Sequence, residues 1–104
     1  MMNYGLSEST FHNLVQVFRS FDKIEKAILY GSRVKNTHKS GSDIDIALVG
    51  CELTINTLDS IEMKIEELVL PHKVDISIFH LIENSDLIDH ILRVGQVIYS
   101  RVVE

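Results

Sequence analysis

At 104 residues, with 45% hydrophobic side chains and a single proline, the chain has material for one small ordered domain, residues 1–104, and none for a second. Ten Lys and Arg against fifteen Asp and Glu, a net charge of −5, exclude a broad basic face of the kind that tracks a long nucleic-acid backbone. No apolar run reaches membrane-spanning length and the first residues show no basic-then-apolar export pattern, so a cytoplasmic protein is expected; the one cysteine, Cys51, cannot form an internal disulfide and is expected as a buried or partly buried thiol.

Phe11, Leu14, Val15 and Phe18 recur at helical spacing, which predicts a first helix over roughly 8–21 with Ser7 or Ser9 as its N-cap. Ala27-Ile28-Leu29-Tyr30 reads as a short buried strand that Gly31-Ser32 breaks. The N–H groups opening that turn, with the Ser32 hydroxyl, form a place for an anion such as phosphate. The polar stretch 35–42 is expected to be a mobile loop able to close on a nucleotide.

Asp43 and Asp45 stand at the start of a second apolar run, Ile46-Ala47-Leu48-Val49. On a strand this i, i+2 spacing puts both carboxylates on one face, where they repel unless a cation lies between them. A few hard oxygen ligands, completed by water and substrate phosphates, suit Mg²⁺ or Mn²⁺ better than zinc. A second helix is predicted over roughly 54–68, with Leu58, Ile61, Ile65, Leu68 and Val69 as its apolar stripe, Glu62, Glu66 and Glu67 toward water, and Pro71 beyond its end. The strand pattern 74–79 carries Asp75, a charge in an apolar run that needs a partner or a metal. Beside the Asp43/Asp45 strand, Asp75 completes a three-carboxylate cluster able to hold two divalent ions for in-line displacement at phosphorus. Ser85 is expected to cap a last helix, with Leu87, Ile88, Ile91 and Leu92 inward and Gly95 as its stop.

The elements predict an α/β (α+β) domain in which a small sheet packs against helices. An isolated Asp-x-Asp also serves turns and caps at strand starts, and Asp75 alone is also consistent with an edge charge that blocks aggregation. The joint order of strand, Gly-Ser turn, loop, Asp-x-Asp strand, helix and acid-bearing strand favours the site. The five histidines, at 12, 38, 72, 80 and 90, show no metal-binding spacing, so zinc is not expected and most are assigned to surface or loops.

Tyr30-Gly31-Ser32-Arg33, followed by Ser42-Asp43-Ile44-Asp45-Ile46, resembles the signature of the DNA polymerase beta-type nucleotidyltransferase superfamily. Within it, the chain is most similar to the minimal nucleotidyltransferase (MNT) branch, whose members pair with HEPN-domain partners in toxin–antitoxin modules. The resemblance runs to the Gly95-Gln96-Val97-Ile98-Tyr99 ending, and its specific part is the block 30–46. It implies the polymerase beta-like fold with a small mixed sheet. It also implies that Gly31 and Ser32 engage nucleotide phosphates, with Arg33 near the triphosphate oxygens or equally a structural cap or pairing residue, and that Asp43 and Asp45 ligate two Mg²⁺ ions. Asp75 matches the third acid, which helps to position and deprotonate an attacking hydroxyl.

The branch commonly continues Ala-Arg-Gly where this chain has Val34-Lys35-Asn36. Lys35 keeps the charge without the Arg fork, and Asn36 tolerates left-handed backbone.

The function implied is transfer of AMP from ATP to a hydroxyl, a tyrosine on a HEPN toxin, with pyrophosphate leaving and the toxin's RNase activity silenced. A hetero-oligomer with that toxin is expected. The second reading is a non-catalytic antitoxin that neutralises the HEPN RNase by binding and occlusion, against which the three intact acids argue. Antibiotic nucleotidylation shares the motif but calls for an acceptor pocket or domain for which this length leaves no space. Arg33 and His38 together mimic the HEPN Arg-x-x-x-x-His ribonuclease motif, a coincidence in a strand-to-loop context.

Overall fold

Four short strands form one mixed sheet in the order β3-β2-β1-β4 in the computed structural model, which describes residues 4–35 and 42–101. The elements run α1 (Glu8–Arg19), β1 (Lys26–Tyr30), β2 (Ile44–Val49), α2 (Ile55–Glu66), β3 (Val74–Ile78), a single 3₁₀ turn (Phe79–Leu81), α3 (Ser85–Val94) and β4 (Gln96–Ser100). β1 pairs antiparallel with both β2 and β4, whereas β2 and β3 run parallel with α2 between them in the chain. The expected small mixed sheet against helices is therefore present. No helix among the described residues is long and apolar enough to cross a membrane.

Each helix starts where a side chain can satisfy an orphan N–H. Ser7 accepts from the Thr10 N–H at 3.1 Å and Thr54 from the Thr57 N–H at 3.3 Å. The last helix is capped by Asn84, one residue before the predicted Ser85, because its Oδ1 reaches both the Asp86 and the Leu87 N–H groups, at 2.9 and 3.2 Å.

Strand alternation then divides the side chains. Ala27, Leu29, Ile44, Ile46, Leu48, Ile76 and Ile78 turn to one face and join Leu14, Phe18, Ile61 and Ile65 of α1 and α2 in the main core. The other face carries a smaller cluster of Tyr30, Ala47 and Ile91, edged by Ile28, Phe79, Ile82 and Leu87, with α3 lying over it.

Several expectations are corrected. β4 was not anticipated; it is short and shows no regular alternation, exposing Gln96, Val97 and Ser100 and burying only Tyr99. β2 begins at Ile44, so Asp45 lies within the strand and Asp43 just before it. Val69 leaves the α2 stripe: Leu68 and Val69 wind into a tight turn on Ile65 and Glu66, and Val69, at φ 50°, stands 85% exposed. Leu92 is also outside, 70% exposed. The inward side of α3 runs through Leu87, His90, Ile91 and Val94, the i, i+3, i+4, i+7 series, and Leu92 lies about 100° round the helix from Ile91. Cys51 is exposed in the turn after β2, where its N–H donates to the Glu25 carboxylate. The expectations for Asn36, for His38 and for closure by the polar loop fall on 36–41, outside the described residues.

Candidate functional site

The sheet register builds a row. Tyr30 on β1 stands opposite Asp45 on β2, and Asp45 stands opposite Asp75 on β3. All three turn to the α3 face, because Ile44 and Ile46 on either side of Asp45, and Ile76 beside Asp75, belong to the other face. Asp45 is half-buried, whereas Asp75, on the edge strand, and Asp43, at the mouth of β2, are exposed.

Asp45 feels the other two acids. Burial holds the Asp45 carboxyl above the usual carboxylate range, and the nearby Asp75 and Asp43 charges raise it further; Arg33 and His90 pull in the other direction. The Tyr30 hydroxyl is pushed up mainly by burial, opposed by its hydrogen bond with Ser77 and reinforced by Asp45 and Asp75. A half-buried carboxylate whose ionised form is opposed by two neighbouring acids fits a divalent cation, which would relieve that opposition. The three acids are not drawn into a ready-made cage: among the described residues no group of three His, Cys, Asp or Glu side chains has metal-holding geometry.

Gly31 ends β1 in a left-handed conformation, φ 86°, directly over this row. The positive φ favours glycine, and a Cβ there would lie 2.5 Å from Asp45 Oδ2, so a larger residue would also have to displace that carboxylate. The expectation that N–H groups opening this turn face an anion needs one amendment. The Gly31 N–H donates instead to His90 Nε2 on α3, at 3.2 Å, which assigns the ring proton to Nδ1. The same imidazole meets the Tyr30 ring edge-on, centroids 6.1 Å apart. Ser32 is half-buried in the turn, and Lys35 closes it with its N–H on the Gly31 carbonyl at 3.3 Å.

Arg33 is 3% exposed and its guanidinium is committed to protein groups. It donates to the carbonyls of Ser42 at 2.7 Å, Tyr4 at 2.9 Å and Asp43 at 3.3 Å, and contacts His72 Nδ1 at 3.2 Å. Of the two roles open to it in the sequence, Arg33 makes contacts of the structural kind: it clamps the segment that delivers Asp43, together with the entry to β3. Burial lowers its pKa, with Asp45 acting the other way; His72 is lowered by burial and then by the Arg33 charge.

His72, in the loop before β3, and His90, within α3, are half-buried and bonded, and His90 is the exception to the surface or loop placement expected of most histidines. His90 had a visible signal, a polar residue inside the apolar stripe of α3. His72 had none, since its partner lies 39 positions away.

The family model "Polymerase beta, Nucleotidyltransferase" matches residues 12–104. No curated protein matches the chain. A solved toxin-antitoxin structure with AMP-PNP superposes with a TM-score of 0.72 at 19% identity, covering 88% of this chain and 73% of that one. The toxin-antitoxin MntA-HepT gives 0.67 at 16%, covering 91% and 74%. A tri-AMPylated Shewanella oneidensis HEPN toxin in complex with MNT antitoxin gives 0.68 at 16%, covering 92% and 74%. These similarities show that the fold is the polymerase beta-like nucleotidyltransferase fold.

Proposed function

The chain belongs to the polymerase beta nucleotidyltransferase family, and from that premise we propose that it is a Mg²⁺-dependent adenylyltransferase acting on a HEPN toxin as its antitoxin. The observation that carries this reading is the row itself: Asp45 flanked in register by Asp75, preceded by Asp43, and roofed by a turn whose glycine, at positive φ, lies against the Asp45 carboxylate. The partner is inferred from similar folds solved as toxin-antitoxin complexes, one with AMP-PNP and one with an AMPylated HEPN toxin. The chain would act in the cytoplasm, in a hetero-oligomer with that toxin.

In this reading Asp43, Asp45 and Asp75 are the residues that would hold the Mg²⁺ ions. The metal supplies charge neutralisation for the triphosphate and the leaving pyrophosphate. Gly31 and Ser32 set where the phosphates lie, close above Asp45. An acceptor hydroxyl, a tyrosine of the toxin, attacks the α-phosphorus of ATP; its proton passes to a carboxylate oxygen of Asp75, and the bond from the α-phosphorus to pyrophosphate breaks. Asp75, exposed on an edge strand, is accessible to an acceptor carried on another protein. Little covalent work falls to the side chains, and the rate comes from placement and charge. Arg33 acts through Asp43, whose carbonyl it holds.

Label transfer from α-labelled ATP with Mg²⁺, using the HEPN partner as acceptor, tests the reading. Transfer by the wild type and its loss in Asp43→Ala are expected. No transfer by the wild type, or equal transfer by Asp43→Ala, overturns it; neutralisation of the toxin by Asp43→Ala without ATP would establish occlusion instead.

A further inference from the structure

We propose that His90 is a positioning residue for the nucleotide site, holding the Gly31-Ser32 turn in the geometry that seats the triphosphate beside Asp45. The inference rests on the nucleotidyl-transfer reading above and adds a residue that lies far from the 30–46 block.

Position is the first ground. His90 occupies the inward stripe of α3 between Leu87 and Val94, where an aliphatic side chain would pack onto the sheet without a polar atom to satisfy. Its Nε2 is the acceptor for the Gly31 N–H, a contact spanning 59 positions of sequence. An N–H pointing out of the end of a strand toward a helix is costly to leave unmade, so the imidazole supplies what the sheet ladder cannot.

The second ground is leverage. Gly31 lies so near Asp45 that the space for a Cβ is taken by Asp45 Oδ2, at 2.5 Å. Where the Gly31 backbone sits therefore sets the space left over the Asp45 carboxylate. The imidazole itself is hemmed by the edge of the Tyr30 ring, and Tyr30 is the residue paired with Asp45 across the strands. One ring thus holds the turn that lies beside the central acid of the row and packs on the residue paired with that acid. Sites of this kind lose about a hundredfold in rate for displacements near 1 Å.

The test compares three variants with reach as the variable. His90→Leu keeps bulk and removes the acceptor. His90→Gln places Oε1 near the former Nε2, and His90→Asn carries its oxygen only as far as the former Nδ1. Two readouts are taken: affinity for Mg²⁺ with AMP-PNP by calorimetry, and kcat and KM for label transfer from ATP. Expected for His90→Leu and His90→Asn is a loss of about tenfold to a hundredfold in nucleotide affinity and in kcat/KM for ATP, with KM for the HEPN protein unchanged. His90→Gln is expected to recover most of the loss. A purely structural histidine would lower Tm without separating Gln from Asn.

Equal behaviour of Gln and Asn, or wild-type nucleotide affinity in His90→Leu, overturns the proposal. If His90→Leu fails to fold, the Gln and Asn pair decides alone. A wild type that binds AMP-PNP but transfers no label counts against the transfer reading, while the affinity arm still decides the role of His90.

Discussion

The two faces of the sheet are built from alternate residues of the same strands and do opposite things. On the α1/α2 face Ile44, Ile46 and Leu48 are fully buried against Phe18, Ile24 and Ile61. On the α3 face the neighbours of those residues are Asp45 and Ala47, and only Tyr30, Ala47 and Ile91 form a buried cluster. α3 is short and lies over the β1 side, leaving Asp75 and Asp43 open. One face supplies the burial that stabilises the domain; the other carries charges that oppose each other and weaken it. A small domain can hold such a row because the stabilising work is done one residue away, on the far side.

The contrast can be broken most severely at Asp45. Asp45→Asn is expected to reduce label transfer by roughly a hundredfold or more and, in EDTA at neutral pH, to raise Tm. The sign follows from the raised pKa of Asp45 in the fold. Its stabilising contribution is complete below the unfolded-state value and is lost as pH rises through the folded one, so the ionised carboxylate opposes folding at neutral pH. The Tm gap between variant and wild type should close on acidification, and a variant less stable than wild type at neutral pH would contradict the assignment.

Next in size, Ile46→Ala on the opposite face should cost about 2–5 kcal/mol in urea unfolding, a large part of what a domain of this size possesses. Arg33→Lys, at the border of the two faces, keeps the charge but cannot span the Ser42, Tyr4 and Asp43 carbonyls. A loss of roughly 1–3 kcal/mol is expected by chemical denaturation, together with a higher Mg²⁺ requirement in the transfer assay as Asp43 loosens. Smallest is Val69→Gly, which touches neither face: relief of its positive φ should stabilise by about 0.5–1 kcal/mol, read as a small rise in the unfolding midpoint.

The α1/α2 face was the more legible in sequence. Phe11, Leu14 and Phe18, then Ile61 and Ile65, declare their helices by spacing, and the aliphatic runs declare β1 to β3. The common face of Asp45 and Asp75 was readable only as a condition on strand adjacency, because the pairing of β2 with β3 depends on contacts across the whole of α2. β4 stayed hidden because it is short and mostly exposed. Arg33 was legible as a motif position but not in its direction, which depends on the Tyr4 carbonyl and His72 arriving from both ends of the chain. His90 sat in plain view inside an apolar stripe, yet its partner is a backbone N–H, which carries no side-chain signature.

The β2/β3 register has a consequence for how such a site can diverge. Ile44 with Val74, Ile46 with Ile76 and Leu48 with Ile78 form an aliphatic row that fixes the alignment of the two strands, while Asp45 with Asp75 and Ala47 with Ser77 ride on the reverse side. A slip of one residue would carry every aliphatic member to the wrong face, so the alignment survives changes among the passengers. Positions 45, 75 and 77 are thus a writable strip on a fixed frame, while Ala47 stays packed beneath α3, and new chemistry can be tried there one residue at a time without asking the strands to find each other again.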